Sequence, residues 1–129
     1  MSEELLVEKR ETVCTLVIHR PEKHNVLTPA CLERLSGVLA ELEEEGAVRA
    51  VVIRGAGSRA FSAGYDIASL PARPASEAEE ALRGDPPLER ALRSISVFPY
   101  PVVAMINGLA LGGGCELAVA CDIRVMGRS

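Results

Sequence analysis

Two short aliphatic runs, at residues 48–54 and 101–106, restrict the possible folds of this chain more than any other feature. The first reads Val-Arg-Ala-Val-Val-Ile-Arg and the second reads Pro-Val-Val-Ala-Met-Ile, and glycine follows each run within two residues. Near-continuous apolar strands are typical of parallel sheets that are covered on both faces. The two runs therefore predict inner strands of such a sheet.

The N-terminal third of the chain predicts a hairpin and then a helix. Residues 12–19 are β-branched and apolar, and residues 5–10 can pair with them across Glu11. Thr28 followed by Pro29 is typical of a helix start, with threonine as the N-cap and proline at the first helical position. Apolar residues then recur every three or four positions until Gly46, at Leu32, Leu35, Val38, Leu39 and Leu42.

The rest of the chain continues the alternation of strands and helices. Residues 88–97 have helical spacing, another helix is predicted to begin near Gly114, and residues 122–126 predict a last strand. Strands that alternate with helices predict an α/β fold with a mainly parallel sheet. Between these elements, residues 70–87 are rich in Pro, Ala, Glu and Arg and predict a mobile surface excursion.

Composition limits the class of protein and of partner. The 129 residues suit one domain, and 48% hydrophobic with 25% charged residues is typical of globular proteins. Two Tyr, two Phe and no Trp predict an aliphatic core. A net charge of −4, without any Lys/Arg run longer than two residues, argues against a nucleic-acid-binding surface.

Membrane insertion, secretion and metal binding are equally disfavoured. The apolar stretch 101–120 is interrupted by Asn107, four glycines and Glu116, which argues against a spanning helix. The N-terminus is acidic where a signal peptide is basic. The four cysteines form no CxxC pair and have no zinc-type histidine spacing, so we expect reduced thiols, a cytoplasmic location and no metal site.

Two glycine-bearing segments, residues 60–67 and 107–123, are the candidate ligand site. Each follows a buried strand and leads towards a helix, where open α/β sheets usually bind ligands. The run Gly112–Gly114 allows close approach of the backbone to a ligand, and unpaired N–H groups at the start of the next helix favour negative charge. An oxyanion and a phosphate both satisfy this description.

None of three known phosphate-binding or catalytic sequence motifs matches these segments. A P-loop requires lysine after its last glycine, but Cys115 follows Gly114. The dinucleotide fingerprint GxGxxG fails because Leu117 occupies its third glycine position. The serine elbow GxSxG is a near miss at Ser62, since Ala60 replaces its first glycine.

The sequences AFSAGYDI (60–67) and NGLALGGGCELAVACDI (107–123) resemble the two signature segments of the crotonase superfamily, in the enoyl-CoA hydratase/isomerase family. HRPEKHNVL (19–27) and YPVVAMI (100–106) resemble the family's segments as well, and the likeness covers nearly the whole chain. It implies the N-terminal part of a crotonase-like spiral of ββα units. We read residues 1–129 as a single domain, truncated because the chain ends just after a strand.

The resemblance implies a role for particular residues. The backbone N–H groups of Tyr65 and Gly113 correspond to the two donors that grip the thioester oxygen, together called the oxyanion hole. Glu116 matches one of two glutamates that hydratases use on the catalytic water, although a glutamate in a first helical turn is favourable for dipole reasons alone. Residues expected to border coenzyme A are Lys23, Ala63, Gly64, Asp66, Ile67 and Ala68.

The implied function is addition of water to a 2-enoyl-CoA, with acyl-CoA as substrate and no cofactor beyond its coenzyme A. The second hydratase glutamate would lie past Ser129, so isomerisation, decarboxylation and non-catalytic acyl-CoA binding stay open. Full-length members of the family form trimers or hexamers, which implies a homo-oligomer.

Overall fold

The computed structural model describes residues 3–66 and 86–127. Ile67, Ala68 and most of the predicted 70–87 excursion lie outside these residues. The two excursion residues that are described belong to a helix: Pro86 is its N-cap and Pro87 its first residue. The helix therefore begins one residue before the predicted 88–97, at a proline, whose fixed φ suits the first helical position.

The elements follow the predicted order, with two short additional strands. The three helices of the described residues are α1 (Pro29–Glu45), α2 (Pro87–Val97) and α3 (Gly113–Ala120), and a 3₁₀ turn spans Pro21–Lys23. The strands are β1 (Leu5–Arg10), β2 (Val13–Ile18), β3 (Ala50–Gly55), β4 (Ala60–Ser62), β5 (Val102–Ile106), β6 (Leu109–Ala110) and β7 (Ile123–Met126). No helix in the described ranges is long and apolar enough to cross a membrane.

The main sheet has the order β1-β2-β3-β5-β7. The β1–β2 hairpin is antiparallel, whereas the β2–β3, β3–β5 and β5–β7 pairs are parallel. Val51 of β3 lies between Cys14 of β2 and Val102 of β5, and all three side chains are fully buried. The predicted α/β class with a mainly parallel sheet is confirmed, and the carboxyl ends of the parallel strands meet at one edge.

Helix α1 begins and ends at the residues predicted from sequence. The Cys31 N–H donates to Thr28 Oγ1 at 3.1 Å, which satisfies one of the free amides of the first turn. Gly46 ends the helix with φ of 73°, and its N–H donates to the Leu42 carbonyl. The five predicted stripe residues are all buried, as is Cys31. Each buried leucine contributes about 1.5–3 kcal/mol to folding, so this stripe anchors α1 on the core.

The core is mainly aliphatic, as its composition predicts, with Phe61 as its largest fully buried side chain. Helix α1 packs against α2, and α2 packs in turn against α3. Phe61 lies in β4, which pairs with β6 in a second, two-stranded parallel sheet. The sequence did not predict this small sheet. It matters because β4 leads directly into the first glycine-bearing segment and β6 into the second.

Candidate functional site

Asn107 holds the turn between β3 and β4. Its Nδ2 donates to the carbonyls of Gly55 at 3.0 Å and Gly57 at 2.9 Å, and its Oδ1 accepts from the Gly55 N–H at 3.0 Å. Asn107 follows β5 directly. The residue after β5 therefore holds the backbone at the end of the neighbouring parallel strand, β3. This arrangement sets where β4 begins.

Asn25 holds the same turn from the other side. This residue is 1% exposed and has a left-handed φ of 56°. Its Nδ2 donates to the Ala56 and Ala60 carbonyls, both at 2.9 Å, and its Oδ1 accepts from the Arg20 N–H. An unpaired buried amide would cost about 1–3 kcal/mol, so these bonds also keep loop 20–27 against β4.

The backbone after β4 is paired with loop 20–27. The Ala63 N–H donates to the His24 carbonyl at 2.9 Å, the Leu27 N–H donates to the Gly64 carbonyl at 2.7 Å, and the Asp66 N–H donates to the Leu27 carbonyl at 2.9 Å. Leu27 thus bonds to the residues on both sides of Tyr65. This parallel bridge holds the backbone on both sides of Tyr65.

Gly64 and Gly114 allow the two glycine-bearing segments to approach each other. Gly64 has φ of 107°, and a Cβ atom there would lie 2.9 Å from the Leu111 carbonyl oxygen and 3.4 Å from the Gly113 nitrogen. A Cβ atom on Gly114 would collide with the backbone carbonyl of Ser62. Only glycine fits at these points, which explains why both segments need it.

The consequence is a pair of amides at the N-terminus of α3. A Cβ atom built on Gly113 would lie 3.6 Å from the Tyr65 nitrogen, 3.5 Å from Leu88 Cδ2 and 3.7 Å from Leu27 Cδ1. Within residues 3–66 and 86–127, neither the Tyr65 N–H nor the Gly113 N–H donates a hydrogen bond. Two free donors beside leucine side chains, at the positive end of a helix dipole, suit an oxygen atom that gains negative charge.

The other predicted site residues that the structure describes belong to α3, to the segment that carries Tyr65 and to loop 20–27. Glu116 is in the first turn of α3, with an exposed side chain and an N–H that donates to the Gly112 carbonyl at 3.0 Å. Ala63, Gly64 and Asp66 flank Tyr65 along the chain. Lys23 is exposed at the end of the 3₁₀ turn, one residue before His24. Ile67 and Ala68 lie outside the described residues.

Arg20 joins this site and was not predicted from sequence. Its Nη1 lies 3.1 Å from Asp66 Oδ2 and 3.7 Å from Glu4 Oε1. The roles of Asn25 and Asn107 were missed as well. The one available signal was that each asparagine follows a predicted strand, Asn107 directly and Asn25 across a loop.

The cysteines and acidic residues supply no metal site in the described part of the chain, where groups of three or more possible ligands are absent. All four cysteines are free thiols. Burial raises the pKa of Cys31 and of Cys121 to about 12, so both are neutral at physiological pH. Cys115 is exposed on α3.

Comparisons with known proteins show which family the chain belongs to. The sequence profile described as enoyl-CoA hydratase/isomerase matches residues 8–129. The crystal structure of an enoyl-CoA hydratase from Mycobacterium smegmatis superposes with a TM-score of 0.86 at 35% identity, over 97% of this chain and 48% of that one. The chain belongs to the enoyl-CoA hydratase/isomerase family, in the crotonase superfamily, and has its fold.

Curated relatives of the chain carry out more than one reaction. A crotonyl-CoA hydratase from Syntrophomonas wolfei is 38% identical over 95% of this chain and 46% of its own length. A short-chain-enoyl-CoA hydratase from Clostridium acetobutylicum is 35% identical over 94% of this chain and 45% of its own. A 4-chlorobenzoyl coenzyme A dehalogenase from Arthrobacter is 36% identical over 92% and 43% respectively. The chain thus spans about half the length of the relatives it matches.

Proposed function

We propose that this chain forms the thioester-binding half of an enoyl-CoA hydratase-type enzyme. The Tyr65 and Gly113 N–H groups hold the thioester oxygen of a 2-enoyl-CoA, and Glu116 acts on the water that adds to its double bond. The observation that carries the proposal is that Tyr65 and Gly113 lie close together at the start of α3 and that neither N–H has an acceptor among the described residues.

In the proposed reaction, negative charge develops on the thioester oxygen, which the Tyr65 and Gly113 N–H groups bind. As the oxygen of water bonds to C3, the water gives one proton to the Glu116 carboxylate, and the electrons of the C2–C3 double bond move to C2 and the thioester carbonyl, whose oxygen becomes enolate-like. One proton, equal in number to the one that the water gave up, then adds at C2 and restores the thioester. Loss of one donor from such a site in other enzymes costs about 3 kcal/mol of transition-state stabilisation. Both donors here are backbone groups, so the side chain at position 65 is free to vary.

The position of Glu116 supports a role on water. It follows Gly113 in the first turn of α3, so its carboxylate belongs to the helix end that carries the donor. Its exposed side chain has room to reach water. A general acid or base contributes typically 10²–10⁴-fold to a rate.

The coenzyme A part of the substrate is proposed to lie along residues 63–68, with Lys23 near its phosphates. Ala63, Gly64 and Asp66 support this because loop 20–27 holds their backbone and carries Lys23 next to His24. Ile67 and Ala68 complete the proposed segment. No cofactor beyond this coenzyme A is needed, and assembly as a homo-oligomer is part of the same proposal.

A different enolate chemistry is the second candidate. A dehalogenase that acts on a coenzyme A thioester matches this chain at 36% identity, close to the 35% and 38% of the two hydratases. Because the three identities are nearly equal, they support binding of a coenzyme A thioester and do not favour one reaction over another. Isomerisation, decarboxylation or acyl-CoA binding without turnover would use the same two amides and need not use Glu116.

A titration and a hydration assay test the proposal. Crotonyl-CoA is added to the purified chain and to Glu116→Gln, with an exposed helical residue, Glu41→Gln, as the matched control. We expect saturable binding by all three proteins, and turnover, where present, that falls at least 100-fold in Glu116→Gln alone. Binding without turnover would favour the second candidate. Failure of the wild type to bind crotonyl-CoA would contradict the proposal altogether.

A further inference from the structure

The side chain of Arg20 lies between two carboxylates on different segments. Its Nη1 is 3.1 Å from Asp66 Oδ2 and 3.7 Å from Glu4 Oε1, and the Arg20 and Asp66 side chains are only 21% and 15% exposed. Water screens such a pair less than it screens the exposed ion pairs of this protein. The contact therefore has more influence on local geometry than an ordinary surface pair.

The ion pair extends into a longer chain of contacts. Glu4 also accepts a hydrogen bond from the Thr28 hydroxyl, and Thr28 caps α1. The Arg20 N–H donates to Asn25, which is fixed to the β3–β4 turn. Arg20 is consequently attached to the start of β1, to the N-terminus of α1 and to the loop that pairs with residues 63–66.

Asp66 connects Arg20 to the proposed donor, the Tyr65 N–H. It is the residue after Tyr65, and its N–H donates to Leu27 while its carboxylate accepts from Arg20. The Tyr65 peptide is thereby fixed on its C-terminal side by a backbone bond and a charged bond together. Charge-assisted hydrogen bonds are about twice as strong as neutral ones.

We propose that Arg20 is a positioning residue whose ion pair with Asp66 orients the Tyr65 N–H towards the site it shares with the Gly113 N–H. The proposal rests on the function proposed above. Stabilisation by fixed donors depends on their direction, and a misplacement of about 1 Å can cost 10²-fold in rate. Arg20 acts through Asp66 in this proposal and does not contact the reacting atoms.

A direct contact between Arg20 and a coenzyme A phosphate is the competing explanation. Two carboxylates within 4 Å offset the positive charge of Arg20, which makes it a poor partner for a phosphate. The two explanations predict different effects on free coenzyme A. If Arg20 is a positioning residue, its substitution leaves the affinity for free coenzyme A unchanged. If Arg20 contacts a phosphate, its substitution lowers that affinity.

The test uses acetoacetyl-CoA, which loses its C2 proton to solvent and forms an enolate with its own ultraviolet absorption. An oxyanion hole increases the enolate fraction of the bound ligand at a fixed pH. The variants are Arg20→Gln and Arg20→Lys, with Arg90→Gln as the matched control, because Arg90 forms an exposed 3.1 Å ion pair with Glu33. Coenzyme A affinity and thermal unfolding are measured for every protein.

We expect Arg20→Gln to lower the enolate-to-acid ratio of the bound ligand about tenfold, with coenzyme A affinity within about twofold of wild type. Arg20→Lys, which keeps the charge, should recover part of the loss, and Arg90→Gln should match wild type. Asp66→Asn should also lower the ratio, and the double variant should lose less than the sum of the two single losses, since the two substitutions share the Arg20–Asp66 contact.

Three results would overturn the proposal. An unchanged enolate ratio in both Arg20 variants would show that the ion pair does not orient the donor. Equal losses of enolate ratio and coenzyme A affinity would indicate a phosphate contact instead. If Arg20→Gln does not fold, Asp66→Asn decides the question by the enolate ratio alone, and a ratio equal to that of the wild type would contradict the proposal. A wild-type chain that binds acetoacetyl-CoA without raising its enolate fraction would contradict the proposed function itself, and this inference would fall with it.

Discussion

A Cβ atom built on Gly113 lies 3.6 Å from the amide nitrogen of Tyr65, although the two residues belong to separate glycine-bearing segments. Two close backbone contacts produce this approach. Gly64 passes the Leu111 carbonyl, and Gly114 passes the Ser62 carbonyl. The geometry of the proposed site therefore depends on the packing of α3 against β4.

Substitution Gly114→Ala should disrupt that packing. The new Cβ would overlap the Ser62 backbone, which cannot rotate away as a flexible side chain would. We expect a loss of about 1–3 kcal/mol or more in the free energy of unfolding, measured by urea denaturation.

The matched control is Gly37→Ala in the middle of α1, where a Cβ meets no atom within 4 Å. It should stabilise the chain by about 0.5–1 kcal/mol, since alanine favours helix. Equal effects of the two substitutions would contradict the tight contact between α3 and β4.

Substitution Asn107→Ala should destabilise the turn between β3 and β4. It removes the side-chain partner of the Gly55 N–H and of the Gly57 carbonyl, and one of the two side-chain donors to the Gly55 carbonyl. Losses of about 1–3 kcal/mol are expected when partly buried groups lose such bonds. Urea denaturation measures the loss, and Ser96→Ala, which removes one exposed hydroxyl on α2, should change stability by less than about 0.5 kcal/mol. A neutral Asn107→Ala would mean that the turn is fixed by other contacts.

Stability should decrease at alkaline pH because of two buried thiols. Burial raises the pKa of Cys31 and of Cys121 from 9.0 to about 12. Above pH 9 the unfolded chain loses these protons while the folded chain keeps them, so the free energy of unfolding falls as pH rises from about 9 to 12. Below pH 9 the thiols contribute no pH dependence.

Urea denaturation between pH 7 and pH 11 checks this expectation. Cys31→Ala should show a shallower decline above pH 9 than the wild type, whatever its stability at pH 7. Cys115→Ala, which replaces the exposed thiol, should follow the wild-type slope. Identical slopes for all three proteins would contradict the assigned titration.

The elements that could be predicted from the sequence are those with local causes. Helix α1 begins at Thr28 and ends at Gly46 because a side-chain cap and a left-handed glycine act within one turn. The inner strands β3 and β5 follow from their continuous apolar residues. The start of α3 was predicted to within one residue, because the glycine run that follows β5 ends where the helix begins at Gly113.

The parts that could not be predicted depend on contacts between distant residues. Strands β4 and β6 have three and two residues, too few to show a periodic pattern. The sequence marks Arg20 only as a loop arginine, because its contact with Asp66 forms only in the folded chain. Asn25 and Asn107 likewise gain their roles only when the β3–β4 turn lies between them.

The most direct test of the central claim follows the backbone amides of the ¹⁵N-labelled chain by NMR during titration with acetoacetyl-CoA and, separately, with free coenzyme A. The proposed site predicts that the Tyr65 and Gly113 amide protons move downfield together and saturably with acetoacetyl-CoA, and much less with coenzyme A, because each then donates to the thioester oxygen. Saturable shifts confined to other residues, with the Tyr65 and Gly113 amides unmoved, would contradict the assignment of these two groups as the oxyanion donors.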